Sequence, residues 1–217
     1  YVGKGDAVGT IVSGLHRLEY RGYDSAGVAV YSPKQDKILV VRSPGKISEL
    51  ERKMAATPAI GEDADISIGI GHTRWATHGE PNEVNAHPHV SRNGEFAVVH
   101  NGIIENYVVL KQRLAQKGYV FSSETDTEVI AHLIEECYEG DLRAAVCAAA
   151  EQLEGTYGIA VLAKKHPDML VAARKGSPIV VGICDDRTII SSDLSAIVGH
   201  TNRVIFLNDG DVLKAKA

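Results

Sequence analysis

The chain has 217 residues with 28 acidic and 23 basic side chains, which give a formal net charge of −5. This length can bury a sizeable core as one domain. The mild, interspersed negative charge gives no reason to expect a nucleic-acid or membrane partner, and no apolar stretch is as long as a membrane span. We predict one cytoplasmic domain over residues 1–217.

Helical spacing of apolar residues appears in five segments. They are residues 6–20, ended by Gly22, then 48–56, a helix marked by Leu110 and Leu114 that stops at Gly118, and then 125–137 and 142–153. The fourth opens with Thr125-Asp-Thr-Glu128, in which a hydroxyl and a carboxylate three residues apart predict a capping box.

Short apolar or alternating runs predict strands. They cover residues 26–31, 37–42, 66–73, 96–100, 158–163, 169–174, 179–184, 188–192 and 204–207. The strand from Phe96 should end before Asn101-Gly102, and a last hairpin should turn at Asn208-Asp209-Gly210, because both are turn sequences. Strands grouped apart from helices favour an α+β sheet sandwich over a doubly wound parallel sheet.

A dense polar segment follows the strand predicted at 66–73. It reads His72-Thr-Arg74-Trp75-Ala-Thr77-His78-Gly79-Glu80-Pro81 and continues to Asn85-Ala-His87-Pro-His89. Loops held by a rigid sheet often carry binding groups. The histidines could instead bind a metal, but they lack a third-ligand spacing and a His-Glu-x-x-His helix. We therefore predict a binding loop without a metal.

Three other segments allow both a structural and a functional interpretation. Arg21-Gly22 could end a helix, although this leaves Tyr23-Asp24 unexplained. Asn101-Gly102 could be a tight turn, or its side-chain amide and backbone N–H could form an oxyanion hole. Asp126 could belong to the first turn of a helix or could bind a ligand.

Several strings together resemble a known family. They are Arg21-Gly-Tyr-Asp-Ser-Ala-Gly27, His72 to Pro81, Asn85-Ala-His-Pro-His89, His100-Asn-Gly-Ile-Ile-Glu105 and Ser123-Glu-Thr-Asp-Thr-Glu128. The chain is similar throughout to the glutaminase domains of glutamine:fructose-6-phosphate amidotransferases, which are N-terminal-nucleophile hydrolases. The resemblance implies a four-layer αββα sandwich and hydrolysis of the side-chain amide of L-glutamine without a cofactor. The ammonia would pass to a C-terminal isomerase domain, which makes glucosamine 6-phosphate in a homodimeric full-length enzyme.

The resemblance also implies roles for particular residues. Arg74 would bind the α-carboxylate of glutamine and Asp126 its α-ammonium, a pairing that suits a zwitterion. Asn101 and Gly102 would form the oxyanion hole. The remaining predicted site residues are Thr77 and His78 in the pocket, Trp75 where ammonia leaves, and Arg21 and Tyr23, which would hold the loop of the nucleophile.

The family's nucleophile is an N-terminal cysteine that begins a Cys-Gly-Ile-Val-Gly strand, and Tyr1-Val2-Gly3 resembles the tail of that strand. We expect this cysteine ahead of Tyr1, because Cys137, Cys147 and Cys184 lie in apolar patterns without a positive neighbour. Two alternatives stay open. The chain could be a glutamine-binding or regulatory module without a nucleophile, or the glutaminase domain of another type 2 amidotransferase.

Overall fold

The computed structural model describes residues 1–61 and 65–216. Its helices are α1 (Ala7–Leu18), α2 (Ile47–Ala55), α3 (Pro58–Gly61), α4 (Tyr107–Gln116), α5 (Thr127–Glu136) and α6 (Leu142–Ala150). Its strands are β1 (Val2–Gly3), β2 (Ser25–Ser32), β3 (Lys37–Pro44), β4 (Gly69–Arg74), β5 (His89–Val90), β6 (Phe96–Ile104), β7 (Gly155–Ala163), β8 (Met169–Lys175), β9 (Val180–Ile183), β10 (Arg187–Ser191), β11 (Val204–Phe206) and β12 (Val212–Lys216). No helix within these ranges is long and apolar enough to cross a bilayer.

The strands form two antiparallel layers. One is a five-stranded sheet in the order β12-β8-β7-β6-β5. The other joins β3-β2-β4 to β1-β10-β9-β11, because Val2 bridges to Ile68 and the nitrogen of Tyr1 donates to the oxygen of Gly69 at 2.9 Å. The short strand β1 therefore lies between β10 and the chain that leads into β4.

Apolar side chains fill three spaces between four layers. Helices α4, α5 and α6 pack on the five-stranded sheet, with Ile130, Leu133 and Ile134 of α5 fully buried. Helices α1 and α2 cover the other sheet, and the two sheets enclose residues such as Ile70 and Leu162. The predicted α+β, four-layer αββα sandwich is confirmed.

Two predicted turns have a different structural role. Strand β6 continues through Asn101 and Gly102 to Ile104, with Asn101 opposite Gly158 of β7. Gly102 has a φ of +128°, and a Cβ on it would lie 2.2 Å from the carbonyl oxygen of Thr156. The prediction of a strand end at His100 was wrong because pairing with β7 outweighs the local turn preference of Asn-Gly.

The turn at residues 208–210 is present, but the last hairpin is not. Strand β11 pairs with β9 in one sheet, whereas β12 pairs with β8 in the other. The turn, with Gly210 at a φ of +88°, therefore carries the chain from one sheet to its neighbour.

The predicted capping box is only half formed. The hydroxyl of Thr125 accepts from the backbone N–H of Glu128 at 3.3 Å. The carboxylate of Glu128 does not return to Thr125 but accepts from the backbone N–H groups of Ser122 and Ser123, at 2.8 and 2.7 Å. This buried carboxylate thus fixes the turn that precedes α5.

Candidate active site

A cavity of about 300 Å³ is lined by residues of β4 and β6, which belong to the two facing sheets. Most of the predicted site residues line it. These are Arg21, Arg74, Trp75, Thr77, His78, Asn101, Gly102 and Asp126. Tyr23 is not among the lining residues; its hydroxyl donates to Glu19 and accepts from the N–H of Ile47 at 2.9 Å, and so ties the end of α1 to α2.

Arg74 is the last residue of β4 and is only 4% exposed. Its guanidinium donates to the backbone oxygens of His78, of Gly79 at 3.1 Å and of Glu80 at 3.4 Å. Burial lowers the pKa of Arg74, and the nearby carboxylate of Asp24, at 3.8 Å, opposes this shift. The loop that follows β4 is therefore wrapped around the cation.

Asp24 is a site residue that the sequence interpretation missed. Its carboxylate accepts from the N–H of Ala76 at 2.5 Å, and its own N–H donates to the oxygen of Arg74 at 2.8 Å. The unexplained Tyr23-Asp24 pair was the available signal. Asp24 fixes the first residues of the loop beside Trp75.

Asp126 directly precedes α5, lines the same cavity and is also 4% exposed. Its carboxylate makes no capping bond to α5. Instead, Oδ2 accepts from the N–H of Ile104 at 2.9 Å. This bond holds Asp126 against the end of β6, where the residue lines the cavity. The interpretation of Asp126 as only a helix cap is therefore not supported.

The turn before Asp126 depends on Glu128. Burial acts to raise the pKa of this carboxyl, but the His132 imidazole at 3.7 Å and hydrogen bonds from Ser122 and Ser123 outweigh burial and hold the pKa below its ordinary value. The ionised carboxylate is therefore a fixed anchor at neutral pH. It restrains the segment that presents Asp126.

Asn101 and Gly102 project from the interior of β6 rather than from a flexible turn. The Oδ1 atom of Asn101 lies 3.0 Å from Nε2 of His72 on β4, in the opposite sheet. Gly102 lines the cavity beside it. A side-chain amide and a backbone N–H are the two neutral donors that an oxyanion hole needs.

Three buried imidazoles lie behind Arg74. The ring centres of His72 and His87 are 4.3 Å apart, and those of His87 and His89 are 4.9 Å apart. Burial lowers the pKa of His72 to about 4, that of His89 to about 3, and that of His87 well below its ordinary value. All three are neutral at pH 7, and no group within residues 1–61 and 65–216 is arranged to hold a metal ion.

Two residues mark the rim of the cavity. The Trp75 side chain is 69% exposed and its ring packs over Gly22, where a Cβ would approach a ring carbon to 2.6 Å. Arg21 donates to Oγ of Ser192 at 2.9 Å and pairs with Asp193 at 2.6 Å. Arg21 therefore ties the end of α1 to the segment after β10.

Comparison with known proteins places these features in a family. The family model described as "Glutamine amidotransferase domain" matches residues 72–199. The glutamine–fructose-6-phosphate aminotransferases (isomerizing) of Bacteroides thetaiotaomicron and Clostridium acetobutylicum are 50% and 49% identical over 98% and 96% of this chain. The chain spans about one third of the length of these relatives, 34% and 33%.

Solved structures agree on the fold. The glutamine phosphoribosylpyrophosphate amidotransferase of B. subtilis superposes with a TM-score of 0.76 at 24% identity, over 99% of this chain and 48% of that one. A glutamine aminotransferase class-II domain protein from Silicibacter pomeroyi gives 0.61 at 17% identity, over 88% and 87%. With the family model covering more than half of the sequence, the chain belongs to the glutamine amidotransferase domain family.

Proposed function

We propose that this domain, together with a nucleophilic cysteine ahead of Tyr1, hydrolyses the side-chain amide of L-glutamine to glutamate and ammonia. The observation that carries the proposal is the convergence of Arg74, Asp126 and the Asn101-Gly102 pair on one cavity. A cation and an anion on opposite walls match the α-carboxylate and α-ammonium of a free amino acid. The two neutral donors lie where a side-chain carbonyl would have to bind.

The proposed roles follow from these positions. Arg74 binds the α-carboxylate in a two-pronged contact, and Asp126 binds the α-ammonium. Thr77 and His78 line the space around the ligand, and exposed Trp75 lies where ammonia leaves. Arg21 restrains the segment next to the nucleophile, and Tyr23 supports it indirectly through α1 and α2.

The nucleophile is proposed to be a cysteine five positions before Tyr1. None of Cys137, Cys147 and Cys184, which all lie in the described part of the chain, lines the cavity. The edges of β4 and β10 border the cavity on two sides, in line with β1. A segment that continued the pairing of Val2 with Ile68 would bring its fifth residue before Tyr1 opposite Arg74.

In the proposed reaction, the thiolate adds to the amide carbon, and the carbonyl oxygen becomes an anion bound by the NH₂ of Asn101 and the N–H of Gly102. The C–N bond then breaks. The nitrogen leaves as ammonia with the proton that the α-amine of the cysteine took from the thiol. Water hydrolyses the thioester to glutamate and restores the thiol.

The fate of the ammonia is proposed from the relatives alone. Their printed name, glutamine–fructose-6-phosphate aminotransferase (isomerizing), supports transfer to a sugar-phosphate isomerase domain that converts fructose 6-phosphate to glucosamine 6-phosphate. We propose the same partner domain, in a homodimer, for the full-length protein. The same name favours this assignment over the glutaminase of another type 2 amidotransferase.

The test compares three proteins. The first begins at Tyr1, and the second carries Cys-Gly-Ile-Val-Gly ahead of Tyr1. The third, the matched control, carries Ser-Gly-Ile-Val-Gly at the same place. Only the cysteine form should release ammonia and glutamate from glutamine, while calorimetry should detect glutamine binding to the serine form as well. Binding by all forms without turnover by the cysteine form would favour a regulatory module. Turnover by a preparation verified to begin at Tyr1 would disprove the proposed nucleophile.

A further inference from the structure

Among the residues that the structure describes, the amide of Asn101 has one side-chain partner, and that partner lies in the other sheet. Nε2 of His72 on β4 lies 3.0 Å from Oδ1 of Asn101 on β6. The imidazole is 9% exposed, and its Nδ1 has no hydrogen-bond partner in the described chain. The contact therefore joins the two sheets through one defined hydrogen bond at the cavity wall.

The surroundings of His72 determine which of its nitrogens carries the proton. A neutral imidazole has one N–H donor and one acceptor. A proton on Nδ1 would leave a buried donor without an acceptor, which is rare in folded proteins. A proton on Nε2 is used in the bond to Asn101. The geometry therefore favours the neutral form with hydrogen on Nε2.

This choice determines the orientation of the amide. An asparagine side chain can rotate by half a turn and exchange its oxygen for its nitrogen with little change in shape. An Nε2–H group can donate only to the oxygen of the Asn101 amide. Nδ2 is therefore turned away from His72. In the described residues Nδ2 makes no hydrogen bond, and it is not among the buried atoms without a partner. It is therefore open to the cavity that Asn101 lines.

We propose that His72 is a positioning residue that holds Asn101 with its NH₂ group directed to the oxyanion. This proposal rests on the proposed function, since it requires Asn101 to stabilise that charge. With the amide reversed, the lone pairs of Oδ1 would face the developing negative charge and oppose the reaction. The hydrogen bond from His72 excludes that orientation before glutamine binds.

The kinetic test uses the full-length protein with its nucleophile. His72→Leu removes the donor at similar volume and should lower kcat of glutamine hydrolysis by about 10- to 100-fold, a part of the loss expected from deleting one oxyanion donor. KM should change less than about threefold, because Arg74 and Asp126 are untouched. His72→Gln, whose amide nitrogen can replace Nε2, should recover much of kcat. The control is His166→Leu, which removes a half-buried imidazole outside the cavity and should leave kcat unchanged.

A double-mutant cycle separates this role from general damage to the fold. If His72 acts through Asn101, His72→Leu should add little to the loss of kcat already caused by Asn101→Ala. If the two losses of kcat instead multiplied in the double variant, the positioning role would be overturned. A normal kcat in His72→Leu together with a low kcat in Asn101→Ala would overturn it as well and leave the oxyanion hole intact. A normal kcat in Asn101→Ala would instead disprove the oxyanion role in the proposed function.

A spectroscopic measurement tests the proposal without turnover. Nitrogen-15 NMR of the resting protein should show His72 with a protonated Nε2 and an unprotonated Nδ1 at pH 7. The same form should persist at pH 5.5. The Nδ1–H form, or a charged ring at pH 7, would contradict the proposed orientation of Asn101 even if His72→Leu were poorly folded.

Discussion

Asn85 and Glu124 hold each other through a reciprocal pair of hydrogen bonds. Nδ2 of Asn85 donates to the carboxylate of Glu124 at 3.0 Å, and the backbone N–H of Glu124 donates to Oδ1 of Asn85 at 3.0 Å. Nδ2 also donates to the oxygen of Glu80 at 3.1 Å. The loop around Arg74 is thereby fastened to the segment that presents Asp126.

This clamp gives a first prediction about motion. Asn85→Ala should free the loop of residues 75–84 and speed its amide hydrogen exchange, while α5 keeps its protection. Glutamine binding should weaken by about 1–3 kcal/mol, because three hydrogen bonds of a buried amide are lost. Asn202→Ala, an exposed asparagine outside the cavity, is the control. Unchanged exchange in the loop would show that Asn85 is not needed to order it.

A second prediction concerns the cation. Arg74→Lys keeps the charge but cannot make a two-pronged contact with a carboxylate and also loses bonds to the loop oxygens. We expect a loss of about 1.5–3 kcal/mol in glutamine binding, measured as a raised KM and by calorimetry. The exposed Arg143→Lys is the matched control. Full affinity in Arg74→Lys would remove the α-carboxylate contact from the proposal.

The third prediction distinguishes a ligand-binding carboxylate from a structural one. Asp126→Asn keeps an oxygen that can accept from the N–H of Ile104 but removes the negative charge. Affinity for glutamine should fall by about 1.5–3 kcal/mol. Affinity for glutaramate, which lacks the α-ammonium, should hardly change. Equal losses for the two ligands would show that Asp126 acts only through the fold.

The buried histidines make stability depend on pH in a defined direction. The unfolded imidazoles titrate near 6.5, whereas the folded pKa is about 4 for His72 and about 3 for His89. Below pH 6.5 the unfolded chain therefore binds more protons, and each such histidine should lower the free energy of unfolding by about 1.4 kcal/mol per pH unit. Above about pH 6.5 these imidazoles are neutral in both the folded and the unfolded chain, so they no longer make the free energy of unfolding depend on pH.

The measurement is urea unfolding of the wild type and of His89→Gln from pH 7 to 4.5. The variant lacks one of these imidazoles. Its free energy of unfolding should therefore fall less steeply as the pH is lowered, and the difference in slope should correspond to the uptake of about one proton. Carboxyl groups titrate in both proteins and cancel in the difference. If the free energy of unfolding varied with pH in the same way in both proteins, folding would not change the protonation of His89. That result would contradict a neutral His89 in the folded protein.

The order and type of the main elements could be predicted from the sequence because their apolar spacing is local. Helix α5, for example, buries the predicted face that includes Val129 and Ile130. Asn101 was expected at a strand end because its local sequence is a turn signal. Its actual place inside β6 depends on pairing with Gly158, which lies far along the chain.

The same limit explains which site residues were found. Arg74 and Asp126 belong to distinctive strings and were predicted together. Asp24, Asn85 and the bond between His72 and Asn101 were missed, because each acts on a residue that only the folded chain brings near. Sequence patterns indicate the groups that could touch a ligand more readily than the groups that hold them.

The position of β1 has a consequence for how the molecule is made. Val2 and Gly3 pair with Thr188 and Arg187 of β10, which lie far along the sequence. Contacts of such long sequence separation form late and slow folding, since a large loop must close first. On the ribosome, the residues of β1 must therefore wait until β10 has emerged before their sheet is complete. The cavity that continues the line of β1 would then be among the last parts of the protein to take shape.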